Sequence, residues 1–385
     1  MSFHTQGQYC TIKEGENINN YIVERKLGKG HYSTVWKATK DGNSYAIKVF
    51  RSSSYYREVF DNELKIMRLI SELAKTDKNS RYVIEHKDTI AFLKLYHGGA
   101  ENTFLGTSVH PCFVMPLYGE SLADLLESPD YYNDEYIVAL PIPAAKNIMT
   151  QILKGLSFLH KNNIIHTDIN TDNILMKKPM AGVHSNNIQV LISDLGTSFL
   201  ADKPTDDGNG TKEYLSPEQR LDIPLTVQTD IWSLGCVFYE LVTNSLLFDF
   251  DEDDSSSEES LDECSVEGGE MESEDDSETD YVVEWDETYK HFMMMEGILG
   301  PAPKEITKAG RRFFNKHGKL RHNPEIPRIN IIEILHREFE YTQEEIIGIT
   351  EFLYCMIQYN PNDRLTATDL LNNKFLLGKK ARKRQ

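Results

Sequence analysis

One segment of eight residues, 166–173, constrains the fold of this chain more than any other. It reads His-Thr-Asp-Ile-Asn-Thr-Asp-Asn and follows the apolar pair Ile164-Ile165, while Ile174-Leu175-Met176 come after it. This pattern predicts a polar loop between two buried apolar segments. Two carboxylates, two carboxamides and a histidine in one loop are sufficient to hold a metal–phosphate assembly and to accept a proton.

A glycine-rich turn lies near the N-terminus between predicted strands. Residues 21–27, 34–38 and 44–50 have the composition of three consecutive strands, and the first turn has the pattern Gly-x-Gly-x-x-Ser. Such a hairpin can lay backbone N–H groups over phosphates because glycine permits close approach. A dinucleotide-binding fingerprint would instead open a helix. From the turn alone, an ordinary hairpin and a phosphate-binding hairpin both remain open.

The rest of the chain is predicted to be mainly helical. Amphipathic periodicity indicates helices over residues 56–73, 144–161 and 343–358, and a short strand over 188–192 precedes Ser193-Asp194-Leu195-Gly196. The first of these helices carries its apolar residues on one stripe: Phe60, Leu64, Met67 and Ile70.

Taken together, these motifs resemble those of protein kinases. The segment Ala46-Ile47-Lys48 is similar to the V-A-I-K strand, residues 166–173 to the H-R-D-x-x-x-x-N catalytic loop, and 194–196 to D-F-G. Ser216-Pro217-Glu218 is close to A-P-E, which would end an activation loop over 199–214. The resemblance implies an α+β, bilobal protein kinase fold, with a small antiparallel β-sheet and one helix in the N-lobe and a mainly α-helical C-lobe.

The domain boundaries follow from the same resemblance. The kinase domain is expected over residues 21–378, with the N-lobe at about 21–115 and the C-lobe at about 120–378. Residues 1–20 are predicted to be an irregular extension and 379–385 a basic tail.

The resemblance also implies the roles of individual residues, with ATP and Mg²⁺ as cofactors. Lys48 would hold the α- and β-phosphates, paired with Glu63, and Asp168 would accept the proton of the substrate hydroxyl. Asn173 and Asp194 would bind Mg²⁺.

Two expectations concern residues beside these. Glu58 is a rival partner for Lys48 but is expected to face solvent. Asp230 is expected to anchor the backbone of the catalytic loop, and Arg364 to pair with Glu218.

The nucleotide site is expected to include the glycine-rich loop, the walls of the cleft and a hinge over residues 115–119, whose backbone would hold adenine. The implied residues are Leu27, Gly28, Lys29, Gly30, His31, Tyr32, Ser33, Val35, Ala46, Lys48, Met115, Leu117 and Leu175.

Four features resemble the SR-protein kinases, which phosphorylate arginine–serine-rich splicing factors. They are Ser33 in place of a third glycine, Thr167 in place of the H-R-D arginine, Leu195 in place of the D-F-G phenylalanine, and the segment 313–322. The resemblance implies arginine–serine-rich protein substrates. It also implies constitutive activity, because Thr167 cannot pair with a phosphate on the activation loop.

One position departs from the pattern and leaves an alternative open. Where serine/threonine kinases carry a lysine that contacts the transferring phosphate, this chain has Asn170. Asn170 is therefore a candidate catalytic residue and also the argument for a pseudokinase or attenuated kinase that binds basic proteins. An acidic chaperone for histones or RNA factors is a third alternative, which rests on residues 249–287 alone.

Those residues dominate the charge of the chain. Of 60 acidic residues, 20 lie between Asp249 and Glu287, where there is no lysine or arginine, and the remainder has 40 acids against 41 bases. The composition predicts a disordered insert.

No long apolar run, secretion signal or cysteine framework is visible in the sequence. A monomer in the cytoplasm and/or nucleus is expected, without a membrane or nucleic acid partner.

Overall fold

An antiparallel sheet of six strands forms the N-terminal part of the chain. The computed structural model describes residues 9–98, 103–128, 139–179, 188–201, 210–250, 287–321 and 325–378. The strands follow one another in space in the order β1-β2-β3-β4-β6-β5. Their bounds are β1 Asn17–Ile18, β2 Tyr21–Lys29, β3 Ser33–Lys40, β4 Asn43–Phe50, β5 Asp88–Gly98 and β6 Thr103–Pro116.

The register of this sheet gathers the residues predicted to line the nucleotide site. Gly28 lies opposite Val35, and Val35 lies opposite Lys48 on the next strand. Ala46 pairs with Met115 of β6. The glycine-rich turn, the lysine strand and the start of the hinge are therefore neighbours across the four adjacent strands β2, β3, β4 and β6.

Residues 9–16 lie outside helices and strands, and the segment 9–20 packs against the sheet. Cys10, Ile12 and Ile18 are buried in the outer core of the sheet, and β1 pairs with β2. Isolated apolar residues in a polar segment give no periodic signal, so the sequence did not reveal that this segment packs against the sheet.

A single long helix, α1 (Ser54–Leu73), crosses the sheet. It begins at Ser53, whose hydroxyl accepts a hydrogen bond from the backbone N–H of Tyr56. The predicted stripe of Phe60, Leu64, Met67 and Ile70 is buried, as is Glu63. Glu58 is exposed, as predicted.

Helices dominate the remainder of the chain, and this arrangement confirms the predicted bilobal architecture. Their bounds are α2 Leu122–Leu126, α3 Ile142–Lys161, α4 Pro217–Arg220, α5 Gln228–Thr243, α6 Glu287–Leu299, α7 Lys304–Ala309, α8 Ile331–Glu338, α9 Gln343–Tyr354, α10 Ala367–Leu371 and α11 Lys374–Leu377. The last predicted amphipathic helix ends at Tyr354, four residues before its predicted end at 358.

Four short strands hold the polar loop of residues 166–173. They are β7 Ile164–Ile165, β8 Ile174–Met176, β9 Val190–Ile192 and β10 Phe199–Leu200. β7 pairs with β10 and β8 pairs with β9. Because β8 follows the loop and β9 precedes Asp194, this second pairing brings the predicted metal ligands together.

Several predictions fall on residues outside the described part of the chain. They concern most of the acidic insert, the middle of the activation loop and the basic tail. Among the described residues, no helix is long and apolar enough to cross a bilayer.

Candidate active site

Lys48 lies at the centre of the cleft and contacts two carboxylates. Its Nζ atom lies 2.9 Å from Oε1 of Glu63 and 2.8 Å from Oδ1 of Asp194. Lys48 comes from the sheet, Glu63 from α1 and Asp194 from the segment after β9. One ammonium group therefore joins the three elements that the sequence predicted would meet.

Glycine at position 196 leaves room for this arrangement. A Cβ atom there would lie 3.1 Å from Oδ1 of Asp194 and 3.4 Å from Oε2 of Glu63. A larger residue would press on both carboxylates that hold Lys48.

The charges of the three groups follow from their surroundings. Burial opposes the charged form of Lys48, but Asp194 and Glu63 outweigh it and raise its pKa, so the ammonium group stays charged. Partial burial would raise the pKa of Asp194, yet contact with Lys48 lowers it overall. Burial raises the pKa of Glu63 to about 7 against the opposing effect of Lys48.

Asp230 holds the backbone at the start of the catalytic loop, as predicted. Its two carboxylate oxygens accept hydrogen bonds from the N–H groups of His166, at 2.9 Å, and Thr167, at 2.8 Å. Thr167 has φ +72°, which is unfavourable for a β-branched residue and costs on the order of 1–3 kcal/mol. The two bonds from buried Asp230 offset this strain.

Asp168 is held by donors on both carboxylate oxygens. Oδ1 accepts from Nδ2 of Asn170 at 2.9 Å, and from N and Oγ1 of Thr211 at 2.9 and 2.8 Å. Oδ2 accepts from Nδ2 of Asn173 at 2.9 Å. The carboxylate predicted to accept the substrate proton thus has a fixed orientation.

Asn170 is an integral part of this network. Its Nδ2 group donates to Asp168 and also to Oγ1 of Thr211, 2.8 Å away, while its Oδ1 accepts from the N–H of Asn173, 2.9 Å away. The side chain is buried and joins both ends of the loop to the activation segment. The substitution of asparagine for lysine therefore leaves no gap beside Asp168.

The oxygen ligands present suit Mg²⁺. Asp194 contributes a carboxylate whose side chain is 49% exposed to the cleft, and Asn173 contributes a carboxamide oxygen. Mg²⁺ prefers oxygen ligands and in phosphoryl-transfer sites uses one or two protein groups together with phosphate oxygens. Among the described residues there is no larger cluster of His, Cys, Asp or Glu that would form an all-protein cage.

Apolar residues that remain partly exposed line the predicted nucleotide site. Val35, Ala46, Leu117 and Leu175 are half-buried, Met115 is buried and Leu27 is 37% exposed. Among the predicted residues of the turn, Ser33 is buried, Tyr32 half-buried, and Gly28, Lys29, Gly30 and His31 exposed.

Neutral hydrogen bonds and one buried ion pair hold the end of the activation segment. Nε2 of Gln219 donates to the carbonyl oxygen of Thr167 at 3.0 Å, and Oγ1 of Thr167 donates to the carbonyl of Thr197 at 3.2 Å. Glu218 forms a buried two-bond ion pair with Arg364, at 2.6 and 2.8 Å, as predicted.

Three exposed carboxylates, one of them in the catalytic loop, lie near one another. Partial burial raises the pKa of Asp172, and the carboxylates of Asp124, Glu127 and Asp168 add to this rise. The carboxylates of Asp124, Glu127 and Asp172 are called the acidic rim below. Their mutual repulsion favours a cationic ligand beside Asp168.

Sequence reasoning missed two contacts of this site. Thr211, which holds Asp168, was treated only as part of the activation loop. Tyr9 was placed in the irregular extension, but its hydroxyl donates to the carbonyl of Gly30 at 2.8 Å. Its position five residues before Ser216-Pro217-Glu218 was a usable signal for Thr211, whereas nothing in the sequence indicated the role of Tyr9.

The comparisons with known proteins agree with this geometry. The sequence matches the protein kinase domain family over residues 21–376. The chain therefore belongs to the protein kinase family. A crystal structure of a kinase domain, 22% identical, superimposes with a TM-score of 0.66 over 96% of this chain and 98% of that one, which shows the fold.

Individual relatives narrow the class. The chain is 28% identical to the serine/threonine-protein kinase SRPK of Physarum polycephalum, over 97% of this chain and 90% of the relative. It is 20% identical to SRSF protein kinase 3 of Mus musculus, over 97% and 89%. It is 24% identical to the dual specificity protein kinase lkh1 of Schizosaccharomyces pombe, of which it spans about half, 48%. The predicted resemblance to SR-protein kinases and the predicted enzyme class, a serine/threonine protein kinase, are confirmed.

Proposed function

We propose that this kinase transfers phosphate from ATP, with Mg²⁺, to serines in arginine–serine-rich proteins. The observation that carries the proposal is the contact of Lys48 with Glu63 and Asp194 at the same time. Protein kinases require this lysine–glutamate pair and the metal-binding aspartate to be in place together.

Each group has a defined task in the proposed reaction. Lys48 holds the α- and β-phosphates of the substrate ATP, and Glu63 keeps the lysine in position. Asp194 and Asn173 would hold the metal ion, which would supply positive charge to the phosphate oxygens. Asp168 orients the serine hydroxyl and accepts its proton at a carboxylate oxygen. Asn170 and Thr211 keep that carboxylate aimed at the hydroxyl.

The acidic rim supports the preference for arginine beside the serine. A guanidinium group matches carboxylates in charge and in bidentate geometry. The names of two relatives, SRPK and SRSF protein kinase 3, point to the same substrate class for those proteins.

The contacts of Thr167 support activity without prior phosphorylation. Hydrogen bonds between neutral groups connect Thr167 to Gln219 and Thr197, where other kinases use an arginine and a phosphate. Nothing in the comparisons favours the alternative of a pseudokinase.

A peptide panel tests the proposed substrate class. We expect arginine–serine peptides to be phosphorylated with the highest kcat/KM, ahead of proline-directed and acidic peptides. In the variant Glu127→Gln/Asp172→Asn, the KM for arginine–serine peptides rises roughly tenfold, while the KM for ATP stays the same.

The variant Glu58→Gln/Glu305→Gln, which removes two exposed carboxylates elsewhere, is the matched control and keeps the parental KM. Equal kcat/KM for all three peptide classes would contradict the proposed specificity, and so would an unchanged peptide KM in the rim variant.

A further inference from the structure

A polar cavity lies at the opposite end of the strand pair β8–β9 from the catalytic residues. Its volume is about 470 Å³, and its walls come from the 3₁₀ turn Lys78–Tyr82, from α3 and from the residues flanking β8 and β9. Lys177 follows β8 directly and Gln189 precedes β9. The other ends of the same two strands lead to Asn173 and Asp194, so this cavity is separate from the proposed ATP site.

Three cations converge on one tyrosine in this cavity. The guanidinium carbon of Arg81 lies 4.9 Å from the ring centroid of Tyr82, and the Nζ atoms of Lys177 and Lys154 lie at 5.0 and 5.5 Å. Nη2 of Arg81 also donates to the hydroxyl of Tyr82 at 3.0 Å. We call Arg81, Lys154 and Lys177 the basic cluster.

No carboxylate neutralises the basic cluster within the described part of the chain. The lining residues include no Asp or Glu, and the salt bridges formed by described residues involve none of the three cations. The neighbouring sequence from 173 to 193 also contains no acidic residue. Three like charges held this close repel one another, and they do so in a chain whose net charge is −19.

The directions of the pKa shifts of two groups agree with this excess of positive charge. Burial lowers the pKa of Lys177 and the charge of Arg81 lowers it further, although Tyr82 opposes the shift. Burial would raise the pKa of Tyr82, but Arg81 and Lys154 outweigh this effect and lower it. Both shifts have the direction that an anion in the cavity would relieve.

We propose that the cavity binds a small ligand that carries several phosphate groups. A guanidinium group provides paired donors for one phosphate, and two ammonium groups provide point charges for others. The volume of about 470 Å³ exceeds what a single phosphate occupies and lies in the range of small-molecule sites. This proposal does not depend on the substrate class of the kinase.

Calorimetric titration of the full chain with sodium tripolyphosphate tests the proposal. We expect binding by the parent that weakens as NaCl rises. The variant Arg81→Gln/Lys154→Gln/Lys177→Gln binds tripolyphosphate at least roughly tenfold more weakly, because charge-assisted bonds are lost. The matched control Lys65→Gln/Arg68→Gln/Lys308→Gln removes the same charge from exposed positions and keeps the parental affinity.

A Lys48→Gln variant separates this site from the ATP cleft and keeps the binding. The proposal is overturned if the cavity variant binds like the parent, or if binding disappears in Lys48→Gln. Inorganic phosphate binds more weakly than tripolyphosphate if several phosphates are recognised, and equal affinities would contradict that part of the proposal.

Thermal unfolding provides a second readout. Tripolyphosphate raises the Tm of the parent and of the control variant but not that of the cavity variant. If the triple variant does not fold, the single variants Lys154→Gln and Lys177→Gln each reduce the affinity severalfold, and parental affinity in both would overturn the proposal.

Discussion

At the scale of single residues, Asn170 decides whether the catalytic loop is complete. Its carboxamide donates to Asp168 and Thr211 and accepts from the backbone of Asn173. A lysine at this position would supply charge to the transferring phosphate, whereas the asparagine positions the groups around it. Compared with a catalytic loop that carries lysine at this position, the loop thus keeps the orientation of Asp168 but lacks one positive charge.

Replacing Asn170 separates these two contributions. Asn170→Ala lowers kcat by about 10- to 100-fold and changes the KM for ATP little, because the bonds that orient Asp168 act on the chemical step. Asn170→Lys keeps a donor and adds charge, so its turnover equals or exceeds that of the parent. Steady-state kinetics on both variants give the answer, and equally slow alanine and lysine variants would contradict this account.

The sequence predicted some of these residues and not others for a physical reason. Lys48, Glu63, Asp194 and Asp168 lie in short motifs whose spacing is set by a strand, a helix or a tight loop. Thr211 reaches Asp168 across 43 residues, through a contact made by the tertiary fold alone. Sequence periodicity carries no information about such a contact.

At the scale of elements, the glycine-rich loop between β2 and β3 is held from outside the sheet. The ring of Tyr9 lies under Lys29 at 4.4 Å and under Arg51 at 4.6 Å, and its hydroxyl bonds to the carbonyl of Gly30. Nη1 of Arg51 donates to the carbonyl of His31 at 3.2 Å. The segment before β1 therefore restrains the loop that would cover the phosphates.

Loosening this contact affects nucleotide binding more than the chemical step. Tyr9→Phe removes one exposed hydrogen bond and raises the KM for ATP by about twofold. Tyr9→Ala also removes the contacts of the ring with Lys29 and Arg51, and it raises the KM for ATP further. The measurement is KM and kcat at saturating peptide. An unchanged KM in the alanine variant would show that Tyr9 does not position the loop.

The buried face of α5 contains a carboxyl group that titrates near neutral pH. Burial raises the pKa of Glu240 from 4.5 to about 7, although hydrogen bonds from Tyr214 and Thr171 oppose the rise. Because the folded state holds this proton more tightly than the unfolded state, Glu240 contributes stability at low pH. That contribution is lost as the pH rises from 4.5 to 7.

Glu240→Gln removes this pH dependence. We expect the variant to gain stability relative to the parent as the pH rises from 5 to 8, by up to about 3 kcal/mol in the free energy of unfolding. The pKa of Glu63 is raised in both proteins, so its effect cancels in the comparison. Urea denaturation at several pH values measures the difference, and parallel curves for the two proteins would refute the assignment.

The presence of a helix or strand was easier to predict from the sequence than the residues at which it ends. The apolar stripes of α1 and α3 gave their helices directly, because burial of one face imposes the helical period. The packing of residues 9–20 was not predicted, because it depends on contact with β2 and with the glycine-rich loop.

At the scale of the whole molecule, charge is distributed very unevenly. Residues 251–286 hold 18 acids and no base, so replacing them with a short neutral linker changes the net charge from −19 to −1. Negative potential attracts arginine-rich partners over a distance of about 10 Å at 0.1 M salt.

Deleting residues 251–286 tests whether this segment steers substrate. We expect the KM for an arginine–serine peptide to rise and its dependence on salt between about 50 and 300 mM to weaken, while kcat stays the same. A chain of equal length with Asn and Gln in place of Asp and Glu behaves like the deletion. Parental salt dependence in both variants would exclude steering by the insert.

The central claim is that Asp168 acts in a complete kinase site that needs no activating phosphate. The most direct measurement compares unphosphorylated parent and Asp168→Ala in the transfer of radiolabelled phosphate from ATP to an arginine–serine peptide. The account predicts transfer by the parent and a loss of about 10²- to 10⁴-fold in the variant. Equal transfer by the two proteins, or none by the unphosphorylated parent, would contradict it.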